Sequence, residues 1–121
     1  MKKSILKEKS FLFAVRIVNL YKYLSETKKE FVLSKQVLRS GTSVGAMVFE
    51  ATFAESNADF IHKMAISQKE ANETIYWLEL LEKTEYITPT EFESINTDAL
   101  EIIKMITSSI KTMKKKLITN H

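Results

Sequence analysis

Residues 88–117, TPTEFESINTDALEIIKMITSSIKTMKKKL, contain the helix signal that decides the fold of this chain. Thr88, Pro89 and Glu91 are residues that favour the N-cap, N1 and N3 positions of an α-helix. Apolar side chains then recur in steps of three and four residues, at Phe92, Ile95, Ala99, Ile102, Ile106, Ile110, Met113 and Leu117. A repeat of about 3.5 residues suits the shallow crossing angles of a helix bundle, so the segment predicts a long helix with one buried face.

The same kind of spacing predicts three further helices before residue 88. They cover about Ser10 to Ser25, about Leu33 to Glu55, and a segment that begins at an N-cap, Ser56, and ends near Lys83. Asp59 completes a capping-box pattern with Ser56. Short connections make neighbouring helices antiparallel. The predicted fold class is therefore all-α, an antiparallel up-down-up-down four-helix bundle that forms a single domain over residues 1–121.

Composition agrees with a helical chain and excludes several kinds of site. There are only two Gly, one Pro and no Cys, so neither a disulfide framework nor a thiolate metal site is expected. The two glycines, Gly41 and Gly45, fall inside the second predicted helix, where each costs about 1 kcal/mol relative to Ala. We therefore expect a packing reason for them, namely close approach of another helix.

No targeting or membrane-spanning segment is predicted. The longest nearly apolar stretch, residues 11–24, is interrupted by Arg16, Asn19 and Lys22, which a membrane span does not tolerate. A cytoplasmic protein without membrane association is the resulting expectation.

Charge is unevenly distributed along the chain, although the net charge is only +3. Residues 1–16 carry a net +4, residues 17–103 a net −6, and residues 104–121 a net +5. In the predicted topology the two basic segments lie at the same end of the bundle, with Arg16 and Lys104 beside them. We predict a lysine-rich pole that attracts nucleic-acid phosphates, made of Lys2, Lys3, Lys7, Lys9, Lys111, Lys114, Lys115 and Lys116. Cations at the end of a helix also stabilise its dipole, which is the structural alternative.

The first two helices have apolar residues on more than one face. Beside their main stripes lie Phe11, Val15, Val18, Leu38, Phe49 and Phe53. An apolar surface that extends over more than one helix face favours contacts with other subunits. The alternative is a broad core with some apolar surface.

Catalytic and metal-binding constellations are not predicted. The chain has two histidines, and His62, the histidine of the single Asp-x-x-His echo, is expected to be a solvated side chain. Ser40, Thr42 and Ser43 have no neighbouring His or Cys. Arg39 is interpreted as forming a surface or intersubunit ion pair, for example with a helix 3 glutamate, and a phosphate contact is the alternative. Trp77 is interpreted as a core or interface anchor. No cofactor is expected.

Residues 36–81 contain a pattern that resembles the small four-helix-bundle proteins encoded in intervening sequences of bacterial 23S rRNA genes. The matching residues include Gln36, Arg39-Ser40, Ser43-Val44, Glu50-Ala51, Ser56, Asp59-Phe60, Lys63, Lys69-Glu70-Ala71, Glu73-Thr74 and Tyr76-Trp77-Leu78. Met47 departs from the pattern, which usually has Asn there, and Ser67-Gln68 is more polar than the usual Ala-Leu.

The resemblance implies an up-down-up-down bundle that assembles as a homopentamer. It also points to the related accessory variability proteins of diversity-generating retroelements, which bind nucleic acid and a reverse transcriptase. As a structural signature or oligomer interface, the pattern singles out Arg39, Ser40, Ser43, Glu50, Glu70, Glu73 and Trp77. The resulting hypothesis is a non-enzymatic homo-oligomer, a pentamer, that binds RNA or DNA through its lysine-rich pole. The alternative is a scaffold for a protein partner, with no nucleic-acid affinity of its own.

Overall fold

A computed structural model describes residues 4–119 of the chain and shows four α-helices. These are α1 (Ile5–Glu26), α2 (Leu33–Ala51), α3 (Asn57–Lys83) and α4 (Pro89–Thr119). No strand occurs in this part of the chain. The predicted all-α four-helix fold is confirmed. No helix within residues 4–119 combines the length and apolar character needed to cross a membrane.

Cross-helix contacts fix the directions of the helices. On the α1–α4 side, Lys9 pairs with Glu101 while Arg16 pairs with Asp98, so the two helices run in opposite directions. Between α2 and α3, Ser40 bonds to Thr74 while the Val44 carbonyl accepts from Ser67, which is again antiparallel. With the short connections at 27–32, 52–56 and 84–88, these contacts give up-down-up-down order.

Helix ends differ from prediction where a cap was missed. Helix α1 begins at Ile5 rather than near Ser10, because the Ser4 hydroxyl accepts the Lys7 N–H (3.1 Å) and Leu6 is buried. Helix α2 ends at Ala51 rather than at Glu55. There the backbone turns, and Ser56 adopts an extended conformation to start α3.

The N-terminal caps of α3 and α4 were predicted from sequence, and the one on α4 forms in full. The Thr88 hydroxyl accepts the Glu91 N–H at 3.1 Å, and the Glu91 carboxylate accepts the Thr88 N–H at 2.8 Å. On α3, Ser56 accepts the Asp59 N–H at 3.0 Å. The Asp59 carboxylate, however, accepts from Glu55 rather than from Ser56, so the predicted reciprocal bond was wrong.

The two glycines of α2 mark its closest approach to α1. A Cβ on Gly41 would lie 2.6 Å from Cγ1 of Ile17, and one on Gly45 would lie 2.9 Å from the Ser10 carbonyl oxygen. Main chain meets main chain at Gly45, so a side chain there cannot be accommodated by a rotamer change. The expected packing reason for both glycines is present.

Of the four pairs of neighbouring helices, α1 and α4 have the least contact with each other. A groove follows their seam, and a cavity of about 450 Å³ in it is lined by Arg16, Leu20, Tyr23, Ile87 and Ser94 among others. Exposed ion pairs from Lys9 to Glu101 and from Arg16 to Asp98 bridge this groove.

Candidate nucleic-acid interface

The described lysines of the predicted pole are all solvent-exposed. They are Lys7, Lys9, Lys111, Lys114, Lys115 and Lys116, and the term lysine-rich pole is used below for this set. Lys2 and Lys3 lie outside the described residues. Because α1 and α4 are antiparallel, the start of α1 and the end of α4 point to the same end of the bundle.

The lysines of α1 and those of α4 are offset along the bundle axis. Lys9 contacts Glu101, and a rise of about 1.5 Å per residue puts Lys111–Lys116 roughly 15–22 Å farther along α4 than Glu101. Those last turns of α4 run beside the first turns of α3, since Gln68 donates to Thr107 at 2.7 Å. The pole is therefore an extended strip rather than one compact cluster.

Helix α4 carries a continuous ridge of positive charge. Lys104, Lys111 and Lys115 are seven and four residues apart, so they line up on one side of the helix. The buried side chains Ile102, Ile106 and Ile110 occupy the other side. Lys114 and Lys116 flank the ridge, and residues 104–119 include no acidic residue. Sequence reasoning treated Lys104 only as a neighbour of the pole, although the helical spacing already aligned it with Lys111.

Helix-dipole stabilisation explains only part of this ridge. The dipole effect is confined to the last turn of a helix, and Lys116 is the basic residue of that turn. Lys104 lies about four turns before the end. Within residues 4–119, the lysines at 104, 111, 114, 115 and 116 take part in no ion pair. Their charge is thus available to a polyanion.

The two α1 lysines of the pole have partners. Lys9 forms an ion pair with Glu101, whose hydrogen bond and charge raise the pKa of Lys9. The Lys7 ammonium lies 5.0 Å from the centroid of the Phe49 ring, within cation–π range. Lys9 is consequently a weaker candidate for phosphate contact than the α4 lysines.

Acidic residues also occur at this end of the bundle. Glu50 and Glu55 are exposed at the end of α2 and in the α2–α3 connection. The Asp59 carboxylate already has partners, because it accepts the Glu55 N–H and pairs with Lys63 at 3.2 Å. The Glu55 N–H, followed by Lys63, lowers the pKa of Asp59. A polyanion approaching along the α4 ridge meets fewer carboxylates than one approaching over the α2–α3 connection.

The signature residues of α2 and α3 form a network of their own. Arg39 donates to Glu70 at 2.9 Å and also pairs with Glu73. The Trp77 indole N–H donates to Glu73 at 3.1 Å, and this bond, ahead of the Arg39 contact, lowers the pKa of Glu73. Glu70 is only 7% exposed. The hydrogen bond from Arg39 to Glu70, together with Glu73, raises the pKa of Arg39, so the guanidinium stays charged.

Other signature residues are arranged separately from this network. Ser40 is buried and accepts from Thr74 at 2.9 Å. Ser43 donates to the Arg39 carbonyl within its own helix, and Glu50 is exposed about two turns after Ser43. Ser67 and Gln68, which are more polar than the family pattern, both have hydrogen-bond partners. Ser67 donates to the Val44 carbonyl at 2.7 Å, and Gln68 donates to Thr107. Ser40, Ser67 and Gln68 therefore join helices, whereas Ser43 and Glu50 do not.

Metal-binding groups do not converge in the described part of the chain. Among residues 4–119, no three His, Cys, Asp or Glu side chains lie close enough together to hold an ion. His62 is exposed, as predicted.

Comparison with known proteins identifies a family and similar solved structures. The family model described as 23S rRNA-intervening sequence protein matches residues 2–108. A crystal structure from Bacteroides thetaiotaomicron, described as a protein with unknown function from the S23 ribosomal protein family, is 63% identical. It covers 88% of this chain and 99% of its own, with a TM-score of 0.87. No curated protein matches the chain.

The family match ends before most of the lysine ridge. Residues 2–108 include the Arg39–Glu70–Glu73 network and Lys104. Lys111, Lys114, Lys115 and Lys116 follow the matched region. Any function assigned to these four lysines therefore has to be argued from this chain rather than from the match.

Proposed function

We propose a function from the premise that this chain belongs to the 23S rRNA-intervening sequence protein family. The chain acts as a non-enzymatic, homo-oligomeric helical bundle in the cytoplasm, and it binds RNA or DNA without strong sequence specificity. Binding is through the lysine-rich pole together with Lys104, and the α4 ridge of Lys104, Lys111 and Lys115 provides most of the contacts.

One observation supports this proposal above the others: the α4 ridge is exposed and has no ion-pair partner within residues 4–119. Residues 104–116 span about 18 Å of helix at a rise of about 1.5 Å per residue. That length is sufficient to contact several successive phosphates of a nucleic-acid strand. Lysine is suited to such contacts because its ammonium is a mobile point charge that needs no fixed partner geometry.

Salt dependence tests the proposal. A variant with four lysines replaced by Ala should bind a labelled RNA about tenfold more weakly than wild type at low salt. The four are Lys111, Lys114, Lys115 and Lys116. The slope of log K against log salt should fall by about 3 to 4, since each lost phosphate contact removes about 0.7 to 0.9. Fluorescence anisotropy across a salt series measures both quantities.

A matched variant controls for net charge. Lys22, Lys28, Lys35 and Lys83 are exposed and lie away from the pole, and replacing these four by Ala changes the formal charge by the same amount. The control should bind nearly as well as wild type. Equal losses in the two variants would mean that bulk charge rather than the pole drives binding, and no binding by wild type at low salt would refute the proposal.

Self-association is supported by a different observation, the outer face of α1. Phe11, Leu12 and Val15 are 67%, 54% and 42% exposed, and burying each such side chain in a subunit contact would gain about 1 to 2 kcal/mol. We expect a homo-oligomer, a pentamer, by light scattering. Phe11→Ser should shift it toward smaller species, whereas Phe31→Ser, at an exposed Phe of the α1–α2 connection, should not.

A scaffold function is the second candidate, and the same apolar face favours it. In that case the α1 face binds a different protein, and the chain shows no affinity for nucleic acid. Absorbance of the purified protein at 260 nm relative to 280 nm distinguishes the two candidates, because a nucleic-acid-binding protein retains RNA or DNA at low salt.

A further inference from the structure

The region around Phe49 and Phe53 combines exposed aromatic rings with positive charge. The two rings are one helical turn apart, their centroids are separated by 5.3 Å, and their planes are inclined by 56°. Phe49 is 51% exposed and Phe53 is 70% exposed. The Lys7 ammonium lies 5.0 Å from the Phe49 centroid, so a cation and two π-faces share one small surface.

Position in the fold relates this surface to the lysine-rich pole. Phe53 lies in the α2–α3 connection, and that connection is at the same end of the bundle as the start of α1 and the end of α4. A Cβ on Gly45 would meet the Ser10 carbonyl at 2.9 Å, so α1 and α2 are in close contact one turn before Phe49. Phe49 therefore lies one turn beyond a close contact between α1 and α2, and Phe53 follows it in the connection.

Ring exposure of this kind is suited to base stacking. Every nucleobase has a π-face, and single-strand-binding proteins combine aromatic platforms with neighbouring basic residues. A duplex offers no free base face, because its bases are stacked on one another. The ring of Phe53 is the more accessible platform, and Lys7, over the neighbouring Phe49 ring, adds a positive charge beside it.

We propose that Phe53, with Phe49 and Lys7, forms a stacking site that makes the chain select single-stranded over double-stranded nucleic acid. This inference rests on the proposed function, since it specifies which class of nucleic acid the lysine-rich pole binds. The lysines supply affinity for any phosphate backbone, and the aromatic pair supplies the preference for unpaired bases.

The exposed carboxylates of Glu50 and Glu55 flank the same connection. Because these carboxylates offset the positive charge of Lys7, a nucleic acid at this point gains more from stacking on the rings than from charge attraction. The stacking contribution should consequently be insensitive to salt, in contrast to the contribution of the α4 ridge.

The test compares one strand in two states. A labelled RNA of about 15 nucleotides without self-complementarity, near the upper end of single-strand site sizes, is titrated alone and after annealing to its complement. Phe53→Ala should weaken binding of the single strand by about 5- to 150-fold, the equivalent of one stacked base. Binding of the duplex and the salt slope should stay unchanged. Phe53→Trp should restore single-strand binding, and Phe31→Ala is the matched control for losing an exposed ring.

Each other outcome overturns a specific statement. Equal affinity of Phe53→Ala and wild type for the single strand, or equal losses for strand and duplex, would refute the stacking site while leaving the lysine-rich pole intact. Dissociation of an oligomer by Phe53→Ala would assign the aromatic pair to a subunit contact instead. Absence of all RNA binding in wild type would refute the proposed function itself.

Discussion

Helix α2 meets α3 through buried polar groups with partners, whereas α1 meets α4 across a groove bridged by exposed ion pairs. Ser67 and Thr74 are fully buried, and each donates its hydroxyl hydrogen to an acceptor. At the seam, the side chains of Arg16 and Asp98 are 41% and 47% exposed. Both contacts are polar, but only the first removes its groups from water. Burial with a partner is costly to disrupt, so the two helix pairs should respond very differently to substitution.

The largest expected difference is between two apolar residues of α1. Ile17 is fully buried against Gly41 of α2, while Leu20 is half-buried and lines the groove toward α4. Ile17→Ala should lower the free energy of unfolding by about 2–5 kcal/mol, because it leaves a cavity in a close-packed contact. Leu20→Ala should cost less than half as much. Chemical denaturation of both variants measures the difference, and equal costs would show that the groove is as tightly packed as the core.

A second effect tests the closeness of α1 and α2. Gly45→Ala should destabilise the chain by about 1–3 kcal/mol, although Ala is the better helix former by about 1 kcal/mol, because the new Cβ meets the Ser10 main chain. Ala46, the next residue, is exposed and provides the control: Ala46→Gly should follow helix propensity alone. A more stable Gly45→Ala variant would mean that the two helices separate easily.

Two ion pairs provide the third comparison, one at each kind of contact. Glu70→Gln should cost about 1–3 kcal/mol, since Glu70 is buried and accepts from a charged Arg39. Asp98→Asn removes an exposed pair and should cost at most about 1 kcal/mol. Thermal melts in low and high salt distinguish them further, because the pair with the buried Glu70 carboxylate should be screened less than the pair whose two side chains are both exposed. Equal salt sensitivity of the two pairs would contradict the burial argument.

Much of the fold was predictable because it depends on local signals. The spacing of Ile95, Ala99, Ile102 and Ile106 identifies the buried face of α4, and Thr88 with Glu91 identifies its start. The glycines of α2 likewise indicated close packing. The start of α1 was missed because Ser4 acts through a single hydrogen bond, and the sequence pattern does not distinguish such a cap from an ordinary surface serine.

Features that depend on two helices at once were harder to predict. The neutralisation of Lys9 depends on its register with Glu101, 92 residues away, and no pattern within either helix specifies that register. The pairing of Arg39 was anticipated as an ion pair with a glutamate of α3. Which glutamates take part, and the link to Trp77, follow from the α2–α3 register seen only in the structure.

The smallest expected effect concerns the cap that starts α2, and it appears as a pH dependence. Partial burial acts to raise the pKa of Glu30, but hydrogen bonds from the N–H groups of Leu33, Ser34 and Val32 outweigh burial, so this pKa lies below its ordinary value. A carboxylate with a lowered pKa in the folded state contributes stability that is complete above the unfolded pKa of about 4.3. That contribution is lost as the pH falls through the folded pKa.

Glu30→Gln should therefore lower the melting temperature slightly at pH 7. In acid, where the wild-type carboxyl is protonated too, it should leave the melting temperature unchanged. Glu26 is an exposed glutamate of α1, and Glu26→Gln should leave the melting temperature unchanged at both pH values. A Glu30→Gln deficit that persists in acid would mean that the shape of the side chain, and not its charge, maintains the cap.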